Sequence, residues 1–365
     1  MKKVAICGGH LTPALALIEE LEKKNDVEII FFGRKYTAEG TKIQSAEYKL
    51  IKEKGIKFTE ITTGRLQRKF TRHTPVSLAK VPGGFAQALF HLRREKPAVV
   101  VSFGGYVGLP VVFSAKLLGI KTIIHEQSAI PGLANKISAK ICDNIFVSFP
   151  KTLKYFPAGN TTLIGNLTRA DVYKKQASTK KIGDFISKSK ELIFITGGNQ
   201  GSHFINTLIL NSLEKLKGYQ ILHQVGTLNF KGDFEKARKK SNNNYLPVDY
   251  LTNSDFGAAI NSAKIIISRS GANTVWELAT LSKVAILIPL PISAAGEQYE
   301  NAQILKEAGS AVVLNQKDTT PEILVSTLGQ LEANYQNFQD AAKVQSAKMP
   351  KDAAKKLAEA VFGYT

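Results

Sequence analysis

Cysteine, tryptophan and acidic side chains are all scarce in this chain. Two cysteines, Cys7 and Cys142, and one tryptophan stand among 365 residues. So few thiols exclude a disulfide-stapled scaffold, and both cysteines are expected reduced, in a cytoplasmic protein. Long apolar runs are missing too. No window reaches the roughly 18 apolar residues of a spanning helix. The first apolar run is short and leads straight into a glycine turn, so no secretory signal is expected. Acids number 30 against 49 lysines and arginines, a net charge of +19. The imbalance is concentrated, with 11 basic against 3 acidic residues between positions 51 and 100. Such a surface attracts polyanions, either nucleic acid or anionic lipid, unless the lysines are simply solvated.

What is present points to packed α/β domains. Hydrophobic residues make up 44% of the chain, enough to exclude wholesale disorder. A single core rarely grows past about 250–300 residues, so two domains are expected. Short apolar runs alternate with amphipathic helices: "KVAIC", "VEIIFFG", "AVVVSFGG", "KTIIHEQ" and "NIFVSF", then "ELIFITGG", "YQILHQVG", "KIIISRSG" and "VAILIPLP". Runs that are apolar throughout read as parallel strands covered on both faces, and the alternation reads as crossover helices. Periodicity lapses in "FPAGNTTLIGNLTRADVYKKQ", which places the divide near Gly165, with domains at 1–165 and 166–344. The tail reads as a terminal amphipathic helix.

In open parallel sheets, ligands bind at the carboxyl ends of the strands, and several informative stretches lie there. "FITGGNQGSHFIN" turns a strand into a helix through Gly197, Gly198 and Gly201. It reads as a diphosphate cradle, although an ordinary strand-to-helix turn uses the same residues. "ISRSGANTVWELAT" offers a second helix start, near Ala272. Its Glu277 suits a pair of ribose hydroxyls better than a phosphate, or serves the helix dipole alone. "PLPISAAGEQYENA" brings Gln298 to a helix start, where an amide reads sugar hydroxyls or is merely polar surface. In the first half, Gly104 and Gly105 turn one strand, while His125, Glu126 and Gln127 end the next. "CGGH" places His10 at the same edge if the sheet order is the usual one. Two opposed rims facing a cleft are the expected arrangement, with a nucleotide diphosphate on the second half and its acceptor on the first.

Eight motifs in order, "GGHLTPALAL", "SFGGYVGLP", "HEQSAIPGLANK", "GNLTRADV", "TGGNQGS", "SRSGANTVWELA", "ILIPLP" and "EQYENA", resemble the MurG family. These glycosyltransferases add N-acetylglucosamine to a lipid-linked muramyl-pentapeptide. The resemblance implies the GT-B fold: two Rossmann-like, doubly wound parallel-sheet domains around a cleft, with a C-terminal helix, about 345–365, packing back on the first. It also implies UDP-N-acetylglucosamine as donor, an inverting mechanism, no cofactor and no metal. Motif by motif, Arg169 and the Gly197, Gly198, Asn199, Gln200 and Gly201 loop would handle the diphosphate. Leu251 would lie by the uracil through its backbone. Ser270, Gly271, Ala272, Asn273, Thr274, Val275, Trp276 and Glu277 would form the facing helix start, with Glu277 on the ribose and Gln298 on the sugar. His10 would be the general base. Cys7, Gly8, Gly9, Gly104, Gly105, Tyr106, His125, Glu126 and Ser128 would line the acceptor.

The implied chemistry suits these residue types. Inverting transfer needs one base for the acceptor hydroxyl, which imidazole supplies. The departing UDP builds charge on its β-phosphate, which helix N-termini and an arginine fork stabilise. The basic middle, with Arg65, Arg68, Lys69, Arg72, Arg93 and Arg94 among Phe70, Val81, Phe85, Leu89 and Phe90, suits docking on the cytoplasmic face of an anionic membrane. It lacks a nucleic-acid recognition module. Alternatives with the same donor are transfer to diacylglycerol or another polyprenyl-linked sugar, or epimerisation of UDP-N-acetylglucosamine. A nucleotide-sugar-binding scaffold without catalysis is a further alternative, and His10 argues against it.

Overall fold

The computed structural model describes residues 2–24, 26–36, 43–64, 79–188, 191–293 and 296–365. The chain divides into two compact units. Met1–Arg169 with Lys351–Thr365 form the first, and Ala170–Pro350 the second. Arg65, Arg68, Lys69, Phe70 and Arg72 lie outside the described residues.

The first unit is built on seven parallel strands: β1 (Lys2–Cys7), β2 (Val27–Gly33), β3 (Lys57–Glu60), β4 (Val99–Ser102), β5 (Lys121–Glu126), β6 (Asn144–Val147) and β7 (Thr161–Leu163). Their order is β3-β2-β1-β4-β5-β6-β7. Cys7 pairs with Phe32 on one side and Ser102 on the other, so β1 is central. Its side chains alternate between two cores, as a pleated strand requires. Val4 and Ile6 join helices Leu11–Glu22 and Ala353–Phe362. Ala5 and Cys7 join Ala88 and Leu92 of helix Val81–Glu95, and Val107 and Val111 of helix Gly105–Leu117. This double cover is why the strands read as unbroken apolar runs.

The second unit repeats the scheme with six parallel strands: β8 (Leu192–Thr196), β9 (Gln220–Gln224), β10 (Tyr245–Val248), β11 (Ile265–Ser268), β12 (Val284–Leu287) and β13 (Ala311–Val313). The order is β10-β9-β8-β11-β12-β13. Both sheets therefore reverse direction once, between β1 and β4 and between β8 and β11. Ligands of open parallel sheets bind at such switch points, at the carboxyl ends of the strands.

The terminal return begins later than the expected 345. Helix Tyr335–Ala347 stays with the second unit, where Ser346 Oγ donates to Thr280 O at 2.7 Å and Ser310 Oγ donates to Gln345 Oε1 at 2.9 Å. Only Lys351–Thr365 joins the first unit. There Leu357 and Val361 are fully buried in the core shared with helix Leu11–Glu22, each worth about 1.5–3 kcal/mol of burial. Lys24 Nζ lies 3.9 Å above the Phe362 ring, and Tyr364 hydroxyl accepts from Asn144.

Candidate functional site

In the first unit the loops that follow β1 and β4 flank the switch point and touch. Gly8 has φ +127°, and a Cβ there would lie 2.7 Å from Gly104 O and 2.8 Å from the Phe103 carbonyl carbon. Gly9 N donates to Gly104 O at 3.1 Å, and Phe103 N donates to Cys7 O at 2.8 Å. Glycine is thus required at position 8 because two backbones meet there. His10 follows as the N-cap of helix Leu11–Glu22, half-buried, and its side chain makes no capping hydrogen bond.

His10 is close enough to act electrostatically on both His125 and Glu126 at the end of β5. The usual sheet order therefore does bring these three residues to one edge, but the latter two are interior. Burial pushes the His125 imidazole down to about 4. Its Nε2 faces Gly165 O at 3.2 Å and Ser148 Oγ at 3.4 Å. Gly165 O only accepts, so Nε2 carries the proton. Burial raises the Glu126 carboxyl; donors including Ser128 N and the neighbouring His10 pull it back in part. The carboxylate accepts from Ser128 N at 2.9 Å, Gly132 N at 3.0 Å and Asn135 Nδ2 at 2.9 Å. Three of the side chains expected on the acceptor surface are interior to the first unit. Glu126 is spent on folding the 127–135 loop. His125 and Ser128 lie beneath the surface. Cys7 is in the same position: its thiol is fully buried and pushed up to about 12 by desolvation, so only its backbone reaches the edge. Gly9 is exposed, while Gly105 and Tyr106 are half-buried.

In the second unit the Gly197–Gly201 loop leaves β8. Gly198, Asn199 and Gln200 are exposed. Gly201, with φ +87°, meets the backbone of Val225 and Gly226 so closely that no Cβ fits. Thr227 N donates to Asn199 O at 3.0 Å and Gly226 N donates to Asp249 O at 3.1 Å, so the loops after β8, β9 and β10 are laced together. Leu251, two residues beyond Asp249, is buried.

Across the switch point, Gly271 caps helix Ala272–Thr280, which has neither a capping side chain nor an acid in its first turn. A helix start of this kind, without an acid or a capping side chain, suits an anion. Asn273 and Thr274 are half-buried. Val275 and Trp276 face the core, so of the expected helix-start residues these two bring backbone only. Glu277 is buried one turn in. Gln298 Oε1 accepts from Leu290 N at 3.0 Å, and Gln298 O accepts from Ser270 Oγ at 2.7 Å. These bonds lock the β11 and β12 loops to each other. Arg169 closes the first unit, so the units part four residues beyond the expected divide.

Arg269, between Ser268 and Ser270, escaped the reading of the sequence. Its guanidinium donates to Ser202 Oγ at 2.7 and 3.1 Å, Gln316 Oε1 at 2.7 Å, Ile288 O at 2.9 Å and Pro289 O at 3.2 Å. Burial pushes it down to about 10, and among the described residues no carboxylate pairs with it. A cation thus sits behind the β8 glycine loop, held by neutral acceptors. The available signal was an arginine at the end of an otherwise apolar strand. Among the described residues no cluster of three or more His, Cys, Asp or Glu is arranged to hold a metal ion.

A model of the glycosyltransferase family 28 N-terminal domain matches residues 7–147, and one of the family 28 C-terminal domain matches residues 192–357. The chain belongs to glycosyltransferase family 28. A Clostridium kluyveri protein, named UDP-N-acetylglucosamine--N-acetylmuramyl-(pentapeptide) pyrophosphoryl-undecaprenol N-acetylglucosamine transferase, is 36% identical over 95% of this chain and 97% of its own. A Bacillus cytotoxicus protein of the same name is 31% identical over 96% of this chain and 95% of its own. Among solved structures, Acinetobacter baumannii MurG superposes with a TM-score of 0.73 over 100% of both chains at 24% identity. A Neisseria meningitidis UDP-GlcNAc 2-epimerase does so with 0.68, also over 100% of both, at 15%. These two likenesses are of fold.

Proposed function

We infer that this chain transfers N-acetylglucosamine from UDP-N-acetylglucosamine to an undecaprenyl-diphosphate-linked muramyl-pentapeptide, with inversion at the anomeric carbon. One observation carries the reading: near-complete alignment, at 36% identity, with a relative named for that reaction. The epimerases share the fold at 13–16% identity, the Neisseria protein at 15%, whereas the sequence kinship is with the transferases. In this reading the second unit holds the donor. The Gly197–Gly201 loop and the uncapped start of helix Ala272–Thr280 supply N–H groups to the diphosphate, and Arg169 and the buried charge of Arg269 offset its negative charge. Glu277 takes the ribose hydroxyls, and Gln298 offers its amide nitrogen to the sugar. The first unit supplies the base, His10, which removes the proton of the attacking hydroxyl. No metal or cofactor is required, and chelator should leave turnover unchanged.

The acceptor is lipid-linked, and we place the first unit on an anionic membrane surface. Among the described residues no helix is long and apolar enough to cross a membrane. Helices Val81–Glu95 and Gly105–Leu117 instead carry an apolar outer face. Phe90, Phe113 and Leu117 are exposed, and the Phe85 and Phe113 rings meet edge to face at 5.2 Å. Arg93, Arg94 and Lys116 stand in the same two helices. Apolar side chains rimmed by cations support docking on anionic lipid.

Labelled UDP-N-acetylglucosamine offered to a panel of lipid acceptors tests the reading. Transfer to the undecaprenyl-linked muramyl-pentapeptide is expected. Transfer only to diacylglycerol, or conversion of the free donor to its epimer, would overturn it.

A further inference from the structure

Asp255 lies in the first turn of helix Asn253–Ser262 and is almost wholly buried. In "LTNSD" it stands three residues after Thr252, the spacing of a capping box. Thr252 caps the helix as that motif demands, its Oγ1 accepting from Asp255 N at 3.2 Å. The carboxylate does something else. It collects Thr252 Oγ1 at 2.8 Å, Thr179 Oγ1 at 2.6 Å, Thr179 N at 2.9 Å and Ser178 Oγ at 3.2 Å. Ser178 and Thr179 belong to the segment by which the chain enters the second unit after Arg169. The other end of the same helix grips that segment as well, through Asn261 Nδ2, which donates to Val172 O at 2.9 Å and Lys174 O at 3.3 Å.

The turn held in this way is Tyr250–Thr252, and its Leu251 side chain is buried. Tyr250 and Thr252 on either side of it are exposed, so the directions of the turn's main-chain N–H and C=O groups depend on the torsions of a short segment. An ionised carboxylate collecting four donors is a stiff anchor for such a turn, because charge-assisted hydrogen bonds are short and strong.

We propose that Asp255 is a positioning residue for the base end of the donor site, fixing the Leu251–Thr252 backbone by tying it to Thr179 on the entry segment. The inference rests on the donor reading above. It assigns base discrimination to a carboxylate that touches no substrate atom. Binding that depends on the diphosphate alone, at the β8 and β11 loops, is independent of it.

The test uses the full chain with UDP, CDP and inorganic pyrophosphate as probes, by calorimetry and by competition. Thr179→Val removes one donor from an exposed position, and Asp255→Asn removes the charge. Both should weaken UDP binding by about tenfold, the worth of a charge-assisted hydrogen bond. Both should narrow the preference for UDP over CDP and leave pyrophosphate binding unchanged, and Thr179→Ser should restore the wild-type values. If UDP and pyrophosphate weaken in step, or if UDP affinity is unchanged in Thr179→Val, Asp255 is only structural and the inference is overturned. A wild-type chain that binds no UDP overturns the donor reading itself and the inference with it.

Discussion

Gly8 is the residue whose identity is most tightly determined. Its left-handed torsion and its closeness to the Phe103–Gly104 backbone act together, so a methyl group meets strain and a clash at once. Gly8→Ala should cost about 2 kcal/mol or more in stability, read as a lowered midpoint of thermal unfolding. An unchanged midpoint would show that the β1 and β4 loops can part. The glycine turns, and the position of His10 at a helix start, were legible because each depends on local chemistry at a strand end. The contacts of Glu126 and Arg269 were not legible because they depend on partners that the sequence alone does not bring together. Glu126 looks like a ligand-facing acid until Gly132 and Asn135 are seen to fold back on it. Arg269 needs Ser202 and Gln316, both distant in sequence, before its burial makes sense.

At the scale of elements, alternation of apolar runs and helices was enough to place the nine inner strands, since parallel strands covered on both faces leave a plain pattern; the four edge strands β3, β7, β10 and β13, short and less apolar, were not legible. Helix boundaries near the chain terminus were less legible. Helices Tyr335–Ala347 and Ala353–Phe362 are both amphipathic, and nothing local says that they pack on different units. The same ambiguity attends helices Val81–Glu95 and Gly105–Leu117. Each buries one stripe, at Ala88 and Leu92 or at Val107 and Val111, and leaves a second apolar stripe outward. Replacing Phe90 and Leu117 with serine should release the protein from vesicles rich in anionic lipid while sparing the fold, because neither side chain is in the core. Sedimentation with vesicles reads this directly, and undiminished binding would move the docking surface elsewhere.

The molecule as a whole carries buried histidines in both units. Burial pushes His223 down to about 3, the Asp233 carboxylate resisting in part, and His125 down to about 4. His223 Nε2 faces Asn206 Oδ1 at 3.1 Å, an acceptor, and its Nδ1 faces the Tyr245 hydroxyl at 2.9 Å. The ring is therefore neutral, with the proton on Nε2. Unfolded, each histidine binds a proton near its ordinary 6.5; folded, neither does until far lower pH. The unfolded chain thus holds more protons below pH 6.5, so stability is full above that value and is lost as pH falls toward 4. Each ring contributes about 1.4 kcal/mol per pH unit. Denaturant unfolding from pH 7 to 5 should show the loss, with a shallower slope in His223→Leu; equal slopes would place the titration elsewhere.

The proposed division of tasks, nucleotide binding by the second unit and proton removal by the first, is tested by a single comparison. His10→Ala, assayed for turnover and titrated with UDP in parallel, should lose about a hundredfold or more in rate, as removal of a general base does, while its affinity for UDP stays at the wild-type value. A loss of UDP binding in proportion to the loss of rate, or a rate left intact, would contradict the account.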